Sequence, residues 1–425
     1  MTTRSLLRKG WCPGALRPMQ SGDGLILRVR PRVGTLHVSD LQTIAKVAAK
    51  FGSGEIDLTN RGNLQLRGLD ATSHVQALTV LGESGLIDAD EGAEAIRNIM
   101  VDPLSGIDPV RADIRSLAQK LEAALLADRA FWELPAKFGW SFSGTATPRV
   151  GDRATDIMVA SIAPETYAVS LDGASEVSAR LASSRVVETV TRLAAVFLER
   201  RISDPSIGRM KDAVARSGSA TIYAAAGLES EILAAARSDA VAVPPVGSHD
   251  HCGQVFAASV GLPFGRIDAD QLEALHAAAS SAGLDAVRMS PQRVLVFPVN
   301  RDAQRDQILN EAERQGLITA PDDPRLFFDV CPGSRGCANA TTDTRRDARR
   351  IADRVRGHAF LPSIHVSGCE KGCARRGAAA LTLVARDGRY DVICNDGPTG
   401  AVALAAVSPE NIESAVARFI IEHAR

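Results

Sequence analysis

The sequence predicts an α+β protein built on a duplicated module, its two halves related by a pseudo-twofold axis, with a larger α+β lobe attached to each half. Three observations predict this. A segment near the start returns past the middle at a constant offset of 231 residues. Each copy is followed by a strand, a turn, a second strand and a helix. Four cysteines, Cys331, Cys337, Cys369 and Cys373, fall in the second half alone.

Gly34 aligns with Gly265, Leu36 with Ile267, Leu41 with Leu272, Ile44 with Leu275 and Gly52 with Gly283. The match resumes as Ile56 with Val287, Leu58 with Met289, Leu64 with Leu295 and Leu66 with Phe297. In each copy an extended run, 24–29 or 254–260, leads into a helix with apolar residues at helical spacing, and a strand pair follows. A gapless match that keeps its apolar positions marks a duplication. After the first copy, 159–173 reads strand, turn, strand, and a helix is expected over 176–200. After the second, 380–397 reads the same way, and a helix over 408–424 opens on Ser-Pro-Glu. The chain therefore divides into half-modules 15–72 and 240–302, which pair, and lobes 73–239 and 303–425, the last carrying the cysteines. A site is expected where the halves meet.

At 425 residues the chain buries a large core, and 45% hydrophobic with 23% charged residues is ordinary for a globular protein. With 49 basic against 50 acidic residues it carries no electrostatic footprint for nucleic acid. Its longest apolar stretches, such as 401–407, are too short to span a bilayer, and 1–19 lacks an apolar signal core, so the expectation is a cytoplasmic protein without a membrane partner.

The cysteines form two pairs, CPGSRGC and GCEKGC. Four thiolates suit zinc, two disulfides or an iron–sulfur cluster. The first spacing is too wide for the usual zinc knuckle. The second, on a helical segment, puts both sulfurs on one face. Gly333, Gly336, Gly368 and Gly372 let backbone crowd a bulky inorganic ligand. The reading is a 4Fe-4S cluster, with structural zinc as the alternative. Cys12, Cys252 and Cys394 are left as core or loop residues.

The first copy concentrates cations on its strands. In LRVRPR, Arg28 and Arg30 share a strand face; in LTNRGNLQLRG, Arg61, Asn63, Gln65 and Arg67 share another. A solvated sheet face is the bland explanation. Arginine dominates, however, and acids are nearly absent from these segments, which favours a polyanionic ligand. Arg97 opens RNIMVDPLSGIDP and Lys137 lies in LPAKFGW. For iron, His249 and His251 form an HxH pair that an extended segment would place on one face, and His365 lies near the second cysteine pair. The run TTDTRRDARRIADRVR reads as a solvated helix packing through Ile351 and Val355.

LRVRP, TNRxxxQLxG, the RN…P loop, LPxKF, the duplicated module and the two cysteine pairs together resemble the nitrite and sulfite reductase family of siroheme enzymes across nearly the whole chain. The resemblance implies that family's fold, with ferredoxin-like half-modules at its centre. It implies that Cys331, Cys337, Cys369 and Cys373 bind a 4Fe-4S cluster, Cys373 bridging it to siroheme iron. Arg28, Arg30, Arg61, Gln65, Arg67, Arg97 and Lys137 would hold macrocycle carboxylates or a small oxyanion. One departure stands out: the sulfite-reducing members have LPxKxK, and this chain has Gly139 at the second lysine.

The opening WCPGALRPMQSGDGLILRVRP resembles the cobalamin-pathway branch of the same superfamily, in which the tetrapyrrole is substrate and not prosthetic group. This implies an oxygen-dependent monooxygenase that hydroxylates precorrin-3A and closes a lactone. It implies O2 as co-substrate, a mononuclear non-haem iron, and electrons from NADH or from a ferredoxin or reductase protein; no GxGxxG fingerprint follows a strand. The alternatives are a siroheme nitrite or sulfite reductase and a non-catalytic iron–sulfur or zinc scaffold.

Overall fold

A computed structural model describes residues 13–146, 155–229, 231–232, 246–358, 361–375 and 377–423. The two copies form matching five-stranded sheets. The first runs in the order Met19–Ser21, Gly24–Val29, Leu64–Leu69, Glu55–Leu58, Arg266–Asp268, and the second in the order Gly247–His251, Gln254–Gly261, Val294–Pro298, Ala286–Ser290, Thr35–His37. The outermost strand of each sheet comes from the other copy. Arg266 pairs with Asp57, and by the same symmetry Thr35 pairs with Arg288. The helices Val38–Phe51 and Ala269–Ser281 pack on one another, and Gln42 Nε2 donates to Glu273 Oε1 at 2.8 Å across the 231-residue offset. Both contribute to a single core that includes Leu41, Ile44, Leu272 and Leu275. Even the backbone repeats: Val33 and Phe264 have φ of 49° and 55°, each followed by a glycine at positive φ.

The lobes repeat as well. In the first, Ile99–Val101, Trp140–Ser143 and Ile157–Ala163 are parallel, then Thr166–Leu171 and Ala174–Ala182 return antiparallel. In the second, Phe328–Val330, Ile364–Ser367 and Ala379–Arg386 are parallel, then Arg389–Asp396 and Val402–Val407 return. Two helix expectations are corrected here. Residues 174–182 form a strand, alternating with Ala179 and Leu181 buried and Arg180 exposed, so the helix is Ser183–Ser203. Likewise the apolar stretch before the last helix is the Val402–Val407 edge strand, and the helix is Ile412–His423. Cys12 and Ala424 lie outside the described residues. Among these no helix is long and apolar enough to cross a membrane.

The two copies differ on their outer faces. Where the first has Arg28, Asn63 and Gln65, the second has Ser259, Val294 and Val296, and the latter two valines are sealed in a small apolar cluster with Leu104, Val246, Ala257 and Ile318. Duplication made two sheets, but only the first keeps a polar outer face.

Candidate tetrapyrrole and cluster site

Both cysteine pairs begin at the carboxyl ends of neighbouring parallel strands, where α/β sheets hold their ligands. Val330 lies beside Val366, so the chain leaves the sheet at Cys331 and at Gly368 together. The Gly368 N–H donates to Cys331 Sγ at 3.1 Å, and Thr341 N–H donates to Gly368 O at 3.2 Å, joining the two loops. A Cβ at Gly368 would stand 2.4 Å from Ala340 Cβ, so only glycine permits this approach. Cys331 is buried, Cys337 and Cys369 are half-buried, and Cys373 reaches the surface. Cys369 and Cys373 lie in turns and not on the expected helical segment.

The four sulfurs feel one another. Desolvation, with Cys331, Cys369 and Cys337 nearby, pushes the Cys373 thiol up to about 11 against the pull of Lys371. Burial and the sulfurs of Cys331 and Cys337 also raise Cys369, opposed by a hydrogen bond from the Lys371 N–H. Yet among the described residues no three His, Cys, Asp or Glu side chains converge on a single metal ion. Four thiols near enough to perturb one another suit a single shared group, as an iron–sulfur cluster or a zinc would be.

The same finding bears on the histidines. At His249 the ladder register shifts, with Phe256 of the neighbouring strand left over as the bulged residue. His249 lies against Phe256, with ring centroids 6.0 Å apart. His365 is fully buried within the Ile364–Ser367 strand. Among the described residues, no group of three His, Cys, Asp or Glu side chains suited to a metal ion includes these histidines.

The cationic residues separate into two groups. Arg28, Arg61, Gln65 and Lys137 are half-buried. Arg28 and Gln65 are cross-strand partners, with Arg28 Nη2 donating to Gln65 Oε1 at 2.5 Å. Arg61 Nη2 donates to Lys137 O at 3.0 Å. Arg61, Lys137, Gly139, Asn98, Thr155 and Arg209 line a hollow of about 10 Å³, room for roughly one water-sized group such as an anionic oxygen.

Arg30, Arg67 and Arg97 are buried at 4%, 1% and 7% exposure. The expectation that the arginines lack acidic partners is corrected for all three. Arg30 pairs with Glu94 and donates to Asn98 Oδ1 at 2.7 Å. Arg97 pairs with Asp88 and donates to Arg30 O at 3.1 Å. Arg67 grips Asp23 at 2.7 Å and Asp57 at 3.3 Å, and donates to Gly336 O at 2.7 Å. Its guanidinium therefore ties the first half's sheet to the first cysteine loop, where Ser21 Oγ also donates to Gly336 O. Asp57 faces Arg67, Arg266 and Arg345 together. Burial raises its pKa, but the guanidinium groups of Arg345, Arg266 and Arg67 overcome this and hold the carboxyl far below its ordinary range.

Sequence reasoning missed Asn98, whose Nδ2 donates to Ala95 O, Ala136 O and Phe138 O and so shapes the loop that carries Lys137. It also missed Asp57, although Ile56 and Leu58 in the core left Asp57 to face outward with Gln65, its cross-strand neighbour.

The sequence profile described as "Nitrite/Sulfite reductase ferredoxin-like half domain" matches residues 17–84. A precorrin-3B synthase of Sinorhizobium sp. is 30% identical, with 98% of this chain and 89% of that protein aligned. The chain belongs to the nitrite and sulfite reductase family. Within that family, a ferredoxin–nitrite reductase of Synechococcus elongatus is 26% identical over the same shares of both chains. The structure of Mycobacterium tuberculosis NirA superposes with a TM-score of 0.77 at 19% identity, over 94% of this chain and 81% of that one, which shows the common fold.

Against this nitrite and sulfite reductase background, Gly139 acquires a physical reason. Its N–H donates to Asp156 Oδ2 at 3.0 Å, and a Cβ there would stand 2.9 Å from Asn98 O and 3.3 Å from Asn98 Cβ. Asn98 is held by four hydrogen bonds and has no room to retreat. Gly139→Lys is expected to destabilise the fold by about 1 to 3 kcal/mol, the usual cost of overpacking. Chemical denaturation checks this, and an unchanged midpoint would mean the position is open.

Proposed function

We propose that this oxidoreductase is a precorrin-3B synthase, acting in the cytoplasm on precorrin-3A in aerobic cobalamin biosynthesis. Precorrin-3A, O2, two electrons and two protons give precorrin-3B and water: one oxygen atom enters the macrocycle with closure of a lactone, and the other leaves as water. A 4Fe-4S group on Cys331, Cys337, Cys369 and Cys373 would supply electrons singly, which O2 chemistry requires. Its electrons would come from NADH or from a ferredoxin or reductase protein, and a non-haem iron, whose ligands the described residues do not gather, completes the proposed cofactor set.

The chain's own residues bind and orient. Arg28, Arg61, Gln65 and Lys137 would hold the acetate and propionate rim of the substrate, with the Arg61–Lys137 hollow accepting one carboxylate oxygen. Arg30 and Arg97, buried behind them, fix the strand and the Asn98 loop. The observation that carries the reading is Gly139. The second cation that sulfite-reducing relatives carry there is absent, and Asn98 O fills the space its side chain would need. The site thus has the donors for a polycarboxylate but lacks the extra cation for protonating a small oxyanion.

Visible spectra of the purified protein test this directly. A synthase shows cluster absorption without a resident macrocycle, whereas a tightly held siroheme with its Soret band sinks the proposal. Replacing Arg61 with alanine is expected to weaken precorrin-3A binding by about 1.5 to 3 kcal/mol, the range for a charge-assisted hydrogen bond, with little change in stability. Equilibrium titration under anaerobic conditions checks this; an unchanged affinity would return that strand face to a solvated surface.

A further inference from the structure

A second cationic cleft lies apart from the site above. It has a volume of about 390 Å³, within the range of small-molecule sites, and none of Arg28, Arg61, Gln65 or Lys137 lines it. Its walls come from both copies and the second lobe: Glu55 from the first sheet, Arg266 and Asp268 from the exchanged strand, Arg325, and Arg345 with Arg349 from the Thr344–Arg354 helix. Four guanidinium groups therefore face two carboxylates.

Those two carboxylates are already committed. Glu55 pairs with Arg266, and Asp268 accepts from Gln271 N–H at 2.8 Å to cap the Ala269–Ser281 helix. Asp57, behind the cleft, is shared among Arg67, Arg266 and Arg345. Arg325 is paired to Asp323, but Arg349 is exposed, with no hydrogen bond or ion pair. It follows Arg345 by one helical turn, so the two side chains share a face. Arg345 Nε is buried without a hydrogen-bond partner, a donor in want of an acceptor.

We propose that this cleft binds a phosphate-bearing small molecule of up to nucleoside diphosphate size, held by Arg345 and Arg349 with Arg266 and Arg325 at its sides. Arginine's planar fork suits phosphate oxygens, and the exposed Arg349 fork together with the buried Arg345 Nε–H supplies donors for them. Burial pulls the Arg345 guanidinium down to about 10 against the opposing attraction of Asp57, with repulsion from Arg266 and Arg293 adding to the fall. The proposal does not depend on the tetrapyrrole reading.

Isothermal titration calorimetry of the full-length, cluster-reconstituted protein at fixed ionic strength tests it, with inorganic pyrophosphate and ADP as probes. Saturable binding is expected, weakened about tenfold or more in R349A, as loss of one charge-assisted contact implies. Equal affinity for both probes assigns the site to phosphates alone; tighter ADP binding extends it to the nucleoside, and either supports the cleft. R61A should leave this binding unchanged. Absence of saturable binding, an unchanged Kd in R349A, or loss of binding in R61A alone would overturn the proposal.

Discussion

Cys373→Ser is expected to abolish turnover and strip the visible cluster absorption, while Cys252→Ser is expected to leave both intact. The contrast follows from placement. Cys373 sits within electrostatic reach of Cys331, Cys337 and Cys369, so its sulfur is one of four that a single group would use. Cys252 lies exposed in the turn between Gly247–His251 and Gln254–Gly261, outside the two cysteine loops. Serine at position 373 offers a harder, poorly ionised oxygen in place of a thiolate, and cluster retention depends on thiolate ligation. Iron and acid-labile sulfide analysis reads the outcome without relying on activity. A serine variant with its full complement of iron and sulfide would remove Cys373 from the ligand set.

Arg67→Ala is expected to cost about 3 to 5 kcal/mol of folding stability, the range for removing one partner of a buried ion pair. Arg67 is 1% exposed, and its loss leaves Asp57 facing two arginines where it had three, takes the guanidinium from Asp23, and leaves Gly336 O with Ser21 Oγ as its remaining donor. The loop carrying Cys337 would lose its guanidinium tie to the first sheet and keep only the Ser21 Oγ contact, so cluster retention should fall along with the denaturation midpoint. Arg61→Ala, by contrast, should affect ligand affinity and barely move the midpoint. The same network predicts acid sensitivity. Asp57 titrates lower in the folded protein than its ordinary 3.8, so its contribution is complete above that value and is lost as pH falls towards the folded pKa. Arg67→Ala should shrink the part of the acid-induced loss that Asp57 supplies. A stability change under about 0.5 kcal/mol, typical of a surface position, would show that Arg67 is not the tie described.

The duplication was legible because its apolar positions survived at one offset, and the shared core of Leu41, Ile44, Leu272 and Leu275 follows from it. The exchange of outer strands was not legible. Thr35–His37 and Arg266–Asp268 are three residues each, too short for a periodic signal, and their partners are distant in sequence. The cysteine pairs announced a common site by spacing and glycine content, and the structure brings their loops together. The arginines were harder to sort. Alternation showed that Arg28 and Arg67 leave the core of the sheet, but Arg67 finds its partners 44 residues away in Asp23 and 269 residues away at Gly336. Strand periodicity reports which face a side chain takes, and only the fold reports what stands opposite. The 174–182 error has a similar origin, since ASEVSARLA carries too few residues to separate a period of two from 3.6.

The claim at the centre of this account is that a tetrapyrrole is transformed beside the cysteine loops instead of being held there permanently. The most direct test supplies anaerobically reconstituted protein with precorrin-3A, a reductant and isotopically labelled O2, and follows the product by mass spectrometry. The expected product is a macrocycle that has gained one labelled oxygen atom, with none incorporated when the Cys373→Ser protein is used. An unchanged precorrin-3A, together with siroheme copurifying and nitrite or sulfite reduced at the reductant's expense, would contradict it.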